Sequence, residues 1–358
     1  MPTVLDWNPA VDSSELIRTI REAMTAGSAV VLPGDCGYVA LLNPAAPATA
    51  AQLAALREPP AVLTWGPDDP SGLGLRLSLP IRRLFARAWP APVVVTAAGR
   101  ADWPAYWPAA VREHLARGAA RFRCPEHVLF VTATPALEMP LLVVDTFAPD
   151  AEAVLDLLDD PSAVAISVGT LPVEGRPTVI AATKHGYELT EPGLISGEEL
   201  EKLAARIVLF VCTGNTCRSP LAEALTKQML AERLGCAVEE LPGRGIWVLS
   251  AGVSAYGDCP ATPEAVAVAA ELGADLGEHR SRAVDVELLR AADVVIAMTR
   301  GHAQALASRF PGTGPAPRLL CGDRDLDDPI GAGFDVYRQC AATIRTHLER
   351  LLPEWTGK

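Results

Sequence analysis

The sequence has little lysine: four residues in 358, so its positive charge rests on 27 arginines, and 43 Asp and Glu outweigh both to leave a net charge of −12. The deficit is concentrated early. Residues 1–200 carry 14 Lys and Arg against 23 Asp and Glu, a balance of −9, leaving −3 for the remainder. A surface of that sign repels a phosphate backbone, so nucleic acid is not expected as a partner, although a local basic pocket is still allowed.

Other features are missing as well. No uncharged apolar run reaches the roughly 18 residues a membrane-spanning helix needs, and the opening "MPTVLDWNPAVDSSEL" has acidic residues in place of a basic, apolar, cleavable leader. No membrane partner and a cytoplasmic location are therefore expected. The eight cysteines, at 36, 124, 212, 217, 236, 259, 321 and 340, are too scattered for the disulfide framework of a small secreted domain. Most are expected to be small buried hydrophobes. There is no internal repeat.

What is present is ordinary for a globular chain: 49% hydrophobic and 21% charged residues, which argues against long disorder. A length of 358 exceeds one core, so two domains are expected, 1–200 and 205–358. The boundary is placed in "SGEELEKLAAR", 196–206, with little free linker.

Beyond residue 205 the pattern alternates. "RIVLFVC" is a continuous apolar run of strand length, and "RSPLAEALTKQMLAERLG" reads as a helix with Pro220 in its first turn and Gly235 at its end. "IWVLS" (246–250) and "DVVIAM" (293–298) are further strands. "TPEAVAVAAELG" is a helix capped by Thr262 and stopped by Gly273, another helix starts at Thr299, and a last one covers "DVYRQCAATIRTHLERLL". Strands alternating with helices predict an α/β fold with a doubly wound parallel sheet. The first 200 residues mix a helix ("SSELIRTIREAMTAG"), strands ("AVVLP", "PVVVTA", "PLLVVDT", "AVAISVG", "PTVIAA") and long Pro/Gly-rich connections, predicting an α+β or α/β domain.

The stretch "VLFVCTGNTCRSPLAEAL" carries the chemistry. A loop between a buried strand and a helix N-terminus presents successive backbone N–H groups and the positive end of a helix dipole, which together make an anion cradle. Cys212 opens that loop, where the amides and a nearby arginine favour its thiolate and make it a nucleophile at neutral pH. Arg218, six positions on, can grip two oxygens of a phosphoryl group with its planar guanidinium. Gly214 and Asn215 can take the left-handed backbone that turns amides inward. Ser219 is placed to donate a hydrogen bond to the Cys212 thiolate when it leaves. The expected phosphate-binding set is Thr213, Gly214, Asn215, Thr216, Cys217 and Ser219.

With "SAGVSAYGDCPATPEAV", "HRSR", "ADVVIAMTRGHAQAL" and "LDDPIGAGFDVYRQC" following in order, residues 206–355 resemble the low-molecular-weight protein tyrosine phosphatase family. The resemblance implies that Asp328, directly before Pro329, is the general acid, beside Cys212 as nucleophile and Arg218. It implies hydrolysis through a phosphocysteine, with no metal or other cofactor. Asp325 and Asp327 read as solvated loop carboxylates, His279 and His302 as braces or helix caps.

Many members of that family have Ile where this chain has Thr216, and "CTGNTCRSP" is similar to the protein-arginine-phosphatase branch. Tyrosine-directed members often carry an aromatic residue after the Asp-Pro pair, where this chain has Ile330. Phosphorylated protein side chains are thus the expected substrates, phosphoarginine ahead of phosphotyrosine, with small phosphomonoesters a further possibility. The resemblance also suggests that Cys217 can trap oxidised Cys212 as a disulfide. Arsenate reductases that share the loop need a further close cysteine pair, which the later cysteines do not resemble.

Residues 10–200 resemble the YrdC-like threonylcarbamoyl-adenylate synthase family through "AGSAVVLPGDCGYVALLNP", "ARAWPAPVVVTA", "ARFRCPEH", "RPTVIAA" and "EPGLISGEEL". The departures fall on chemistry. The family's "PTDTVYGL" is here "PGDCGYVA", its Lys-x-Arg cluster is reduced to "LREPP" around Arg57, its "SAN" segment is "VDT" near Asp145, and the Arg before the late Pro-Gly is Glu191. Arg123 and Thr178 survive. ATP and threonine binding by this degenerate domain is therefore not expected, a working synthase acting in tRNA modification being the alternative. A phosphoprotein-binding or sensor protein is the rival from another class, though binding alone needs no acid such as Asp328.

Overall fold

In the computed structural model, which describes residues 2–7, 13–65, 70, 72–98, 101–158 and 160–356, the chain divides into two units, Met1–Ala204 and Ala205–Lys358. The outermost residues of both units, 1, 357 and 358, lie outside the described residues.

The first unit is built on one mixed sheet. Its strands are β1 (Thr3–Asp6), β2 (Val30–Gly34), β3 (Gly37–Leu42), β4 (Ala61–Leu63), β5 (Ala91–Ala97), β6 (Ala120–Cys124), β7 (Leu142–Ala148), β8 (Val164–Ser167), β9 (Thr178–Ala182) and β10 (Tyr187–Glu191). They run in the order β1-β8-β2-β3-β7-β4-β6-β5-β9-β10, with parallel and antiparallel pairs. The alternation of side chains explains the apolar run of β3. Tyr38, Ala40 and Leu42 enter one buried cluster while Val39 and Leu41 enter another, so both faces of this part of the sheet are covered.

Five of these strands are not among the expected ones. β4 has only three residues, β6 ("ARFRC") interleaves arginines with apolar residues, and β10 is a largely exposed edge strand, so none of these three offers an apolar run. The 196–206 segment, read as the boundary, forms the helix Gly197–Ala204, whose Leu200 is fully buried in the first unit's core.

The second unit has a four-stranded parallel sheet with β11 (Arg206–Cys212), β12 (Ile246–Gly252), β13 (Val294–Ala297) and β14 (Arg318–Leu319) in the order β12-β11-β13-β14. β11 is central and its neighbours pair with it on both sides, so six of its seven residues are buried. Val208, Phe210 and Cys212 face one cluster; Ile207, Leu209 and Val211 face the other. Helices Arg218–Leu234, Pro263–Glu271 and Phe334–Thr356 contribute to the first cluster, Val286–Ala291 and Arg300–Arg309 to the second. Helices on both faces make the sheet doubly wound.

The helix ends follow the sequence signals. Thr262 accepts from the Ala265 N–H and Thr299 from the His302 N–H, while Gly235 closes Arg218–Leu234 with φ 64°. β14 has two residues and no sequence signature of its own.

Candidate active site

The strand order 2-1-3-4 places the C-terminal end of β11 where connections diverge to either side, the place where open α/β sheets leave a crevice. Cys212 is the last residue of β11. It is 3% exposed, and its sulfur meets the Asn215 N–H at 3.3 Å and the Ser219 hydroxyl at 2.9 Å.

Asn215 makes the turn. Its φ of 56° lies in the left-handed region, which Asn tolerates better than most residues. Gly214, expected to share that conformation, has no positive φ, and the Asn215 N–H nevertheless points at the sulfur. The Asn215 side chain is fully buried, and its amide nitrogen donates to Ser219 Oγ at 3.0 Å and to Ser250 Oγ at 2.8 Å. Its Oδ1 accepts from the Arg282 N–H at 2.9 Å, and its carbonyl meets His279 Nε2 at 2.8 Å. Ser250 in turn donates to Glu223 Oε2 at 2.6 Å. Ser219 Oγ accepts from Asn215, and its own proton has two acceptors in reach, the Cys212 sulfur at 2.9 Å and the Ala251 carbonyl at 3.3 Å.

Gly252 shows how tightly the loop is held. A Cβ there would sit 2.4 Å from the Thr213 carbonyl oxygen, so only glycine lets the end of β12 approach. Beyond it, the Val253 and Ser254 N–H groups donate to the carbonyls of Cys212 and Thr213.

Arg218 opens the helix that follows the loop and is 5% exposed. Its Nη1 donates to the Leu326 carbonyl at 3.2 Å, its Nη2 to Thr213 Oγ1 at 3.4 Å, and Nη2 is ion-paired with Asp328 Oδ2. The segment carrying Asp328 is anchored by the Leu326 N–H, which donates to the Met298 carbonyl just past β13. Asp325, expected only to be solvated, accepts the Arg300 N–H at 2.8 Å and so ties the segment to a helix start. Asp327 is exposed.

Thr216 is half-buried, with its hydroxyl 3.6 Å from the Cys217 sulfur. Cys217 is 4% exposed and its thiol sits 3.3 Å from Tyr337 Oη and 3.6 Å from Thr262 Oγ1. Burial, with the Cys217 hydrogen bond second, pushes the Tyr337 hydroxyl up to about 12, so it stays protonated. All eight cysteines are free.

The loop thus gathers Cys212, Thr213, Asn215, Thr216, Arg218, Ser219 and Asp328 into one connected arrangement. His279 braces the loop carbonyl rather than a helix. Ser250, Glu223 and Arg282 were not read as site residues, because nothing in their local sequence marks them; only the register Cys212↔Gly252 brings "VLSAG" beside the loop. Among the described residues, no cluster of three or more His, Cys, Asp or Glu is placed to hold a metal ion.

In the first unit, the two surviving residues are engaged internally. Arg123 is fully buried. Its Nε and Nη2 donate to Asp145 at 3.3 Å each, its Nη1 donates to Asp35 Oδ2 at 3.2 Å and to the Ala91 carbonyl, and Nη2 pairs with Asp35 Oδ1. Burial works to lower its pKa, but Asp145 and Asp35 more than offset that and leave it raised. Thr178 is fully buried, its hydroxyl donating to the Ile195 carbonyl at 2.8 Å and accepting the Ile195 N–H at 3.0 Å. Burial and then Asp35 push the Cys36 thiol up to about 12.

A thiol under a loop amide, a guanidinium at the same loop and a carboxylate paired with it define a cysteine-dependent phosphatase. Through residues 207–357, which match the low molecular weight phosphotyrosine protein phosphatase family, this chain belongs to that family. A protein-arginine-phosphatase of Bacillus subtilis (strain 168) is 41% identical over 150 residues, covering 40% of this chain and 91% of that protein. A probable low molecular weight protein-tyrosine-phosphatase EpsP of Ralstonia solanacearum is 33% identical over 150 residues, covering 41% and 94%. An arsenate reductase of Bacillus cereus (strain G9842) is 31% identical over 145 residues, covering 40% and 92%.

Proposed function

We propose that this chain removes phosphoryl groups from protein side chains, phosphoarginine ahead of phosphotyrosine, with Cys212 as nucleophile, Arg218 as the phosphoryl grip and Asp328 as the acid. The observation that carries the mechanism is the convergence of Cys212, Arg218 and Asp328 on one loop fixed by buried Asn215. The Cys212 thiolate attacks phosphorus while the P–N or P–O bond breaks, and Asp328 gives its proton to the departing nitrogen or oxygen. Loop amides and Arg218 balance the charge on the equatorial oxygens. In the second step water attacks the phosphocysteine, the Asp328 carboxylate takes its proton, and the S–P bond breaks to release inorganic phosphate. Ser219 then donates to the departing thiolate.

The preference for phosphoarginine rests on Thr216, whose hydroxyl sits on the loop where isoleucine would offer only apolar bulk, and on the similarity to the Bacillus subtilis protein-arginine-phosphatase. The similarity to the probable protein-tyrosine-phosphatase of Ralstonia solanacearum supports phosphotyrosine as the next substrate. The test is the ratio of kcat/KM for phosphoarginine and phosphotyrosine in the wild type and in Thr216→Ile. Sites that hydrogen-bond their substrate discriminate strongly, so the ratio is expected to fall about tenfold or more. An unchanged ratio removes the arginine preference and leaves the mechanism intact.

The eight free cysteines support action in the reducing cytoplasm, and among the described residues no helix is long and apolar enough to cross a membrane. The later cysteines, 236, 259, 321 and 340, are too dispersed in sequence to resemble the further close pair an arsenate reductase needs, which supports the phosphatase reading.

We infer that the two units are separate domains and that the first is a YrdC-like domain without synthase activity. Support comes from Arg123, whose charge is matched by Asp35 and Asp145, and from Thr178, whose hydroxyl is satisfied by Ile195; neither is available to a bound anion. Given ATP, L-threonine and bicarbonate, the full chain should release no pyrophosphate above background. Threonine-dependent release would establish the synthase instead.

A further inference from the structure

His302 lies in the first turn of helix Arg300–Arg309 and is 6% exposed. Its backbone N–H donates to Thr299 Oγ1, the ordinary work of a helix cap. Its ring does more. Nδ1 is 3.0 Å from the same Thr299 hydroxyl, and Nε2 is 2.8 Å from Thr213 Oγ1, 89 residues away in sequence. Thr213 Oγ1 is in turn the acceptor for Arg218 Nη2 at 3.4 Å.

The network is consistent in the tautomer with the ring proton on Nε2: Thr299 Oγ1 accepts the His302 N–H on one lone pair and gives its own proton to Nδ1. The ring proton then sits on Nε2 and is donated to Thr213. Burial first, and the nearby Arg218 charge second, push the imidazole down to about 4, so one ring proton is all it has at neutral pH. Thr213 Oγ1 consequently receives two N–H groups, from His302 and Arg218, and both lone pairs are used. A hydroxyl fixed in that way gives Arg218 Nη2 a fixed acceptor, beside the Leu326 carbonyl that holds Nη1.

We propose that His302 is a positioning residue for the Arg218 guanidinium, acting through the Thr213 hydroxyl; this rests on the reading of Arg218 as the phosphoryl grip. Thr213 is exposed, so without the ring N–H its hydroxyl is free to turn toward water and the guanidinium loses one of its fixed acceptors. A planar guanidinium must lie in the plane of two phosphoryl oxygens to donate to both, and small rotations forfeit one of the bonds.

Asn and Gln substitutions separate this role from capping. An Asn amide overlays Nδ1 and keeps the Thr299 contact but stops short of Thr213, whereas a Gln amide reaches the Nε2 position. With p-nitrophenyl phosphate, His302→Asn should lower kcat/KM about tenfold and weaken inhibition by inorganic phosphate, while His302→Gln stays within about threefold of wild type. In a Thr213→Val background, His302→Asn should cost less than about twofold more, because its route to Arg218 is already gone. A full tenfold loss in that background, a wild-type His302→Asn enzyme, or Asn and Gln variants losing activity alike in step with their thermal midpoints would each overturn the proposal. Arg218→Ala, run alongside, separates the two failures: undiminished turnover there removes the grip reading itself, whereas abolished turnover with an additive His302–Thr213 cycle removes the positioning role alone.

Discussion

Arg218 and Asp328, 110 residues apart in sequence, form an ion pair at the end of the phosphate loop, with the arginine almost wholly buried and the aspartate side chain 39% exposed. On the proposed roles, the carboxylate and a bound phosphoryl group would compete for Nη2. A phosphoryl group that takes Nη2 would release the Asp328 carboxylate to take up the proton it then hands to the leaving group. The pair joins two loops that the sheet brings to one end, and its charge balance has measurable consequences.

Asp328→Asn should act in opposite directions on binding and turnover. Removing the competing negative charge should tighten inhibition by inorganic phosphate severalfold at pH 7, since two like charges no longer share one guanidinium. Turnover of substrates with poor leaving groups should fall about 100-fold or more, and p-nitrophenyl phosphate, whose leaving group needs little protonation, should suffer less. Equal losses on both substrates would remove Asp328 from the acid role.

Cys217 is held by Tyr337 and Thr262, in the same hydrophobic core as Cys212. Mild peroxide should inactivate the wild type reversibly, the Cys212 sulfenic acid condensing with the Cys217 thiol to a disulfide and releasing water; added thiol then reduces it. Cys217→Ser should let oxidation run on to irreversible acids. The same recovery with thiol reductant in both proteins would show that Cys217 only packs.

His302 should make the stability of the second unit depend on pH. Its imidazole is pushed from 6.5 down to about 4, by burial first and Arg218 second, with Asp328 and Asp325 opposing. Between those two values the unfolded chain binds a proton there that the folded chain does not, so stability is full above about 6.5, falls as the pH drops toward 4, and stops falling below it. His302→Gln should flatten this part of the curve. Urea midpoints at pH 5 and pH 7 for both proteins check it: an unchanged difference would exclude His302 as its source.

Asp145→Ala should destabilise the first unit by about 3 kcal/mol, because Asp35 alone is left to compensate a fully buried guanidinium. Arg123→Met combined with Asp35→Asn and Asp145→Ala should recover much of that loss by removing the charges together. Calorimetry of the full chain reads both. A neutral Asp145→Ala would mean that water reaches Arg123.

Local sequence determined what is set by nearest neighbours along the chain. The apolar run of β11, the caps at Thr262 and Thr299, the stop at Gly235 and the Cys212 to Arg218 spacing all depend on backbone propensity and short-range hydrogen bonding, and those act within a few residues. The proposed nucleophile and its arginine were legible for that reason. Tertiary structure decided the rest, because register and crossover order join residues that no local pattern relates. Pairing of Cys212 with Gly252 brings Ser250 under Asn215, the chain's return after β14 puts Asp328 against Arg218, and β13 with its following helix sets His302 against Thr213. In the first unit Arg123 looked like a surviving anion ligand; only the pairing of β3, β7, β4 and β6 shows that two aspartates already hold it, since charge is neutralised by what is near in space and not by what is near in sequence.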